Sequence, residues 1–150
     1  MYRNGRAVDP GFLDTEQLFF RCKRDAILDT DRIKPAAVHF PDQSVNREKY
    51  SRCTDVLIPD GSPRSKDWLF WGVARIFVRD VPPETTSSGR VPFRFTIEHD
   101  PEEDNYSHSE LRVYKNNQRE RDKNKINQQV KKEYRTKLAL AARVLVRPYI

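Results

Sequence analysis

Four residues near the middle of the chain are of types that can move protons and hold phosphate: His99, His108, Glu110 and Arg112. Histidine titrates near neutral pH, a carboxylate takes or orients a proton, and the arginine fork holds phosphate bidentately. Ribonucleases that need no metal use these types. One group activates the ribose 2′-hydroxyl, another protonates the leaving oxygen, and a cation steadies the strained phosphate. His108 and Glu110 are therefore the expected acid–base pair and Arg112 the expected phosphate clamp. The plainer alternative is a solvated strand face on which Glu98, Glu110, Arg94 and Arg112 form weak cross-strand pairs. His99 ends an apolar strand face, where a histidine is ordinarily a satisfied boundary residue, and His39 sits similarly between Val38 and Phe40.

Other chemistries find little support. The glycine-rich phosphate loops, the H-E-x-x-H zinc motif and the G-x-S-x-G elbow are all absent. His108-x-Glu110 echoes the zinc deaminases, but the P-C-x-x-C half of that signature is missing. Histidines at 39, 99 and 108 match no compact metal motif, so no metal and no cofactor are expected. The acidic run Asp100 to Asp104 lacks the glycine and ligand spacing of a calcium loop. Cys22 and Cys53 read as two reduced thiols, with a single bridge between them as the alternative. No run approaches the roughly 20 apolar residues of a membrane span, and no apolar stretch follows the basic N-terminus. A cytoplasmic location and no membrane partner are expected.

The elements that must position these residues read as follows. Phe93 to His99 alternates cleanly, with Phe93, Phe95, Ile97 and His99 on one face. Ser109, Leu111 and Val113 alternate with His108, Glu110, Arg112 and Tyr114. If the two runs form a hairpin, matching their apolar faces turns His108, Glu110 and Arg112 outward, beside Glu98, Thr96 and Arg94. A capping box, Ser107-x-x-Glu110, competes for a helix there; the Asn116-Asn117 pair favours the strand. Upstream, residues 18–22, 36–40 and 55–58 read as short strands, and Trp68 to Val81 as one long strand covered on both faces. Residues 43–52 form a polar stretch with Ser44 as a candidate helix N-cap. A turn is read over Pro59 to Pro63 and a loop over Glu84 to Arg90.

From about Asp122 to Leu145 the pattern is helical. Ile126, Val130, Tyr134, Leu138, Ala141, Val144 and Leu145 fall in an arc of about 120°. Lys125, Lys131, Lys132, Arg135 and Arg143 gather on the adjoining face, and Lys137 intrudes on the apolar side, where it can snorkel. Eleven of the 28 basic residues and three of the 22 acidic ones lie in Lys115 to Ile150. That excess of +8 leaves −2 for the rest of a chain whose net charge is +6.

The 150 residues suit one domain. It is expected to be α+β, a mostly antiparallel sheet of five to six strands packed on a long basic C-terminal helix. Residues 1–15 would be a flexible arm, 16–114 the β-rich body and 120–147 the helix. The expected function is nucleic-acid binding, RNA favoured, with metal-independent ribonuclease activity from the His/Glu/Arg cluster. The alternative is a non-catalytic module whose basic helix docks an acidic protein. The sequence does not decide the oligomeric state.

Overall fold

A computed structural model describes residues 1–57, 67–85 and 93–150. The turn expected at Pro59 to Pro63 and most of the loop expected at Glu84 to Arg90 lie outside the described residues. Among the described residues, ten strands appear in chain order: β1 (Tyr2–Arg3), β2 (Arg6–Ala7), β3 (Gln17–Lys23), β4 (Gln43–Arg47), β5 (Trp71–Phe77), β6 (Glu84–Thr85), β7 (Phe93–His99), β8 (His108–Lys115), β9 (Gln118–Arg119) and β10 (Arg143–Val146). The α-helix α1 (Gln128–Ala141) precedes the last strand. β1 and β2 pair alone; the others form one antiparallel sheet in the order β10-β5-β3-β4-β8-β7-β6, with β9 added on β8. The α+β class and antiparallel pairing are as expected, with more strands and a shorter helix.

The departures have physical causes. Residues 36–40 are not a strand: Pro35 opens a 3-10 turn over Pro35–Ala37, which suits its fixed φ. Cys53–Val56 is likewise a 3-10 turn, closed by Asp55, whose carboxylate accepts from the Arg52 N–H. The polar stretch that looked helical supplies β4 instead. Its side chains alternate between Gln43, Val45 and Arg47 on one face and Ser44 and Asn46 on the other. The long strand expected over Trp68 to Val81 is only Trp71–Phe77, flanked by 3-10 turns at Asp67–Phe70 and Val78–Asp80. At its start, Gly72 admits close neighbours: a Cβ there would stand 2.7 Å from Ile27 Cδ1 and from the Val146 carbonyl.

β7 and β8 form the expected hairpin, so the strand reading of residues 108–114 holds and the helical one does not. The shared face of His108, Glu110 and Arg112 is as expected, but it is not outward, since His108 and Arg112 are buried, and the register differs from the one expected. Glu110 stands opposite Glu98 and Arg112 opposite Thr96, while His108 lies beyond the end of β7, beside Asp100. Asn116 and Asn117 both adopt positive φ, the conformation a tight hairpin turn requires, and lead into β9.

One face of the sheet carries Leu18, Phe20, Val45, Ala74, Ile76, Phe95, Leu111 and Val113, all buried against α1. The helix contributes Val130, Tyr134 and Leu138, and the Tyr134 ring stacks on Phe95 with centroids 4.2 Å apart. The Asn127 carbonyl side chain caps it, accepting from Gln129 and Val130. It ends at Ala141 because the chain turns extended at Ala142, and Val144 pairs in β10 opposite Ala74. The helix predicted to run through Leu145 is therefore 14 residues long.

Residues 1–15 are not a loose arm. The β1–β2 hairpin, turned by Asn4 and Gly5 at positive φ, lies against the end of β7 and the loop that follows it: Arg3 donates to the His99 carbonyl and Tyr106 to the Ala7 carbonyl. The next segment is locked by Arg47, whose side chain is fully buried. Its guanidinium meets Glu16 twice, at 3.1 and 2.9 Å, and donates to the carbonyls of Asp9 and Gly11. The Phe12 ring lies 3.9 Å from its centre. Removing one partner strands the other as an uncompensated buried charge. Glu16→Ala should therefore lower stability by about 3–5 kcal/mol, measured by urea unfolding. Lys49→Ala, at an exposed pair with Asp9, should cost under about 1 kcal/mol.

Candidate functional site

β3 and β4 pair at only two positions, Leu18 against Arg47 and Phe19 against Asn46. Beyond them β3 follows β5 for its whole length and β4 follows β8, so the two strands part. Gln43 supports β4 along the gap: its amide donates to the Ser44 carbonyl and accepts from the His39 N–H. The space so opened is a cavity of about 1110 Å³. Arg21, Lys23, Lys34, Arg119 and Arg135 bring cations to its wall; Asp25, Asp42, Asp100, Glu102 and Glu110 bring anions.

Three of the four expected catalytic residues come together on the cavity side of β8. His108 and Glu110 line the cavity, and Arg112 follows on the same face. The His108 Nδ1–H donates to the Asp100 carbonyl at 2.7 Å, which leaves Nε2 as the lone pair, 3.3 Å from Ser44 Oγ. Arg112 is not placed as a clamp. Its three nitrogens face Glu98 at 3.0 Å, Asp100 at 3.4 Å and Glu110 at 3.2 Å. With three carboxylates around one guanidinium, no fork remains for a phosphate. Burial lowers the affinity of Arg112 for its proton, but the charges of Glu110 and Glu98 outweigh it and the pKa rises. Burial conversely raises the Glu98 carboxyl, while hydrogen bonds from Tyr114 and Thr96 and the Arg112 charge bring it below its ordinary value.

His99 is elsewhere. It faces the opposite side of the hairpin, 1 % exposed, accepts from the Asp9 N–H through Nδ1 and donates through Nε2 to the Tyr106 carbonyl. Tyr50 stacks on its ring and Tyr106 meets it edge-on. Both nitrogens are committed to the neutral tautomer, and burial drives its pKa down.

The sequence pattern missed Asp42, Ser44, Asn46 and Arg119. β4 holds a single apolar residue among polar ones, so its period 2 was invisible; Arg119 arrives only because the Asn116-Asn117 turn folds β9 back onto β8. Arg119 donates through Nη2 to Asp42 and to Glu110, both at 2.9 Å. Four buried side-chain polar atoms lack a partner among the described residues: Asp42 Oδ1, Asn46 Nδ2, Arg119 Nε and Tyr134 Oη. Three of them belong to residues lining this cavity.

The expected basic helix face is divided. Arg135 donates to the carbonyls of Val38 and Ala36, and Arg143, now in β10, to those of Leu140 and Ala142. Lys125 and Lys132 are exposed and Lys131 is half-buried, while the intruding Lys137 is exposed at the surface. Cys22 and Cys53 are unbridged, and burial pushes the Cys22 thiol up to about 12. No described helix is long and apolar enough to cross a membrane. No family model, curated protein or solved structure matches the chain.

The sign of the His99 effect is testable. Unfolded, it titrates near the ordinary 6.5; folded, its pKa is lower. Its contribution to stability is full above 6.5 and falls as pH drops toward the folded value. Urea midpoints should therefore decline from about pH 7 to about pH 5, and His99→Gln should flatten that decline.

Proposed function

We propose that the chain binds nucleic acid, single-stranded RNA before DNA, in the cytoplasm, and cleaves its backbone in the cavity between β3 and β4. The observation that carries the reading is the cluster of buried atoms without partners. A buried donor left unpaired costs about 1–3 kcal/mol, so the unpartnered Asn46 Nδ2 and Arg119 Nε, on two residues that line one cavity, favour an oxygen-rich occupant. A phosphodiester offers such oxygens. Arg21, Lys23 and Lys34 are exposed on the cavity wall, and the Arg21 guanidinium lies over the Trp71 ring, 4.5 Å from its centre. Lys125, just before α1, and Lys131 and Lys132, early in it, add further positive charge.

Within the cavity, His108 and Glu110 are the groups for proton transfer. One takes the ribose 2′-hydroxyl proton as that oxygen attacks phosphorus; the other returns a proton to the leaving 5′-oxygen. Arg119 replaces Arg112 as the group facing the phosphate. His99 has no part in the reaction.

The second reading is a non-catalytic module that docks an acidic protein through α1. It is favoured by Leu140, an apolar residue 66 % exposed near the end of that helix.

Fluorescence anisotropy with a single-stranded RNA, titrated at several salt concentrations, separates the two. Binding should weaken linearly on a log–log plot, and Arg21→Ala with Lys34→Ala should reduce the slope by about 1 for each phosphate no longer neutralised. His108→Ala should abolish cleavage, by about 100-fold or more, while binding persists. Absence of saturable RNA binding at low salt overturns the proposal and leaves the interaction module.

A further inference from the structure

The group at the end of the cavity has a property that acid–base chemistry does not use. Ligand atoms of Asp100, His108 and Glu110 all lie within 4.8 Å of one another. Around them a continuous ion-pair network joins four carboxylates, from Asp42, Glu98, Asp100 and Glu110, to three guanidinium groups, from Arg3, Arg112 and Arg119. With neutral histidine, the four carboxylates and three guanidinium groups leave the network a charge of −1 in a partly buried place. Such a deficit favours a bound cation.

The local geometry suits ligation. Histidine ligands commonly donate their second ring N–H to a carbonyl or carboxylate, which orients the ring and makes the free nitrogen more basic. His108 does this toward the Asp100 carbonyl at 2.7 Å. Both Arg112 and Arg119 bond to Oε2 of Glu110, and Oε1 takes no hydrogen bond among the described residues. In a tetrahedral site with bonds of about 2.1 Å, ligand atoms stand about 3.4 Å apart. The three residues therefore have roughly an ångström to close, within the reach of side-chain rotation.

A second observation points to an occupant. Asn46, 2 % exposed and paired across the strands with His108, lines the same cavity, and its Nδ2 has no acceptor among the described residues. Asp42 Oδ1 lacks a donor in the same place. Water molecules bound to an ion would satisfy both, since they accept from the amide and donate to the carboxylate.

We infer that Asp100, His108 and Glu110 form a binding site for a first-row divalent ion such as Mn²⁺ or Zn²⁺. A nitrogen with two carboxylates suits these ions, whereas Mg²⁺ prefers oxygen alone and keeps its waters. The consequence rests on the cavity being the site of RNA cleavage: the ion takes the lone pairs of His108 and Glu110 that proton transfer needs. Ion-loaded protein is therefore silent, and the ion regulates the site.

Isothermal titration of the full chain with MnCl₂, ZnCl₂ and MgCl₂ in separate runs tests the site without reference to RNA. One equivalent of Mn²⁺ or Zn²⁺ should bind saturably, and Mg²⁺ at least tenfold more weakly. Asp100→Asn and Glu110→Gln should each weaken binding tenfold or more, and Glu103→Gln, an exposed carboxylate in the same loop, should not. Pulsed EPR of the parent protein loaded with Mn²⁺ should show nitrogen coupling from His108, a readout independent of whether any variant folds. No saturable binding, unchanged affinity in both variants, or a Mn²⁺ signal without nitrogen coupling overturns the site. If RNA is cleaved, ZnCl₂ should suppress that cleavage, and undiminished cleavage in loaded protein overturns the regulatory role alone. If RNA is neither bound nor cleaved, the proposed function fails while the titration and the EPR still decide the ion site.

Discussion

A fully buried arginine holds this fold in register. Arg47 sits at the end of β4 where that strand meets β3, and it satisfies its charge on Glu16 while gathering the carbonyls of Asp9 and Gly11. Those contacts tie the segment before β3 to β4, and through Asp9 to His99 at the end of β7. The desolvation of a guanidinium is offset only when nearly all its donors are used. That condition explains why the chain from Asp9 to Glu16 is drawn around it. The β1–β2 hairpin is then brought against the β7–β8 hairpin, where Arg3 and Asn4 reach Glu98 and Asp100.

The cavity is a consequence of that anchor. β3 is committed along its length to β5, and β4 to β8, so two hairpin-like halves meet only at the Arg47 end. The twist of each half carries the other ends apart. A sheet closed along this line would have no room for a ligand. The parted strands leave Ser44 and Asn46 on the cavity wall, where they supply the polar surroundings of His108 and Glu110.

Electrostatics decide what each residue of the hairpin can do. Arg112 and Arg119 both lie near Glu110, yet their situations differ. Arg112 is enclosed by Glu98, Asp100 and Glu110, which use it to hold themselves in place. Arg119, which lines the cavity, has an Nε without a partner among the described residues. The same contrast separates the histidines. His99 spends both ring nitrogens on backbone groups and is part of the core, whereas His108 spends one and offers the other.

Strong local periodicity made some of this legible. Phe93 to His99 and His108 to Tyr114 alternate so plainly that the hairpin, its faces and the grouping of His108, Glu110 and Arg112 follow from the pleat alone. The apolar spacing of Val130, Tyr134 and Leu138 likewise determined the helix and its buried side. What remained hidden depends on partners far away in the chain. β4 has too few apolar residues to announce itself, and forms because β3 and β8 flank it. The N-terminal segment looks polar and loose, but Arg47 and His99 hold it. Arg112 has the composition of a phosphate clamp, and only the folded positions of Glu98 and Asp100 assign it to them instead. Period and propensity act over a few residues, and so the sequence by itself determined the β7–β8 hairpin and α1. The cavity, the burial of Arg47 and the charge around His108 arise from contacts between residues up to about a hundred positions apart, and only the tertiary structure could decide them.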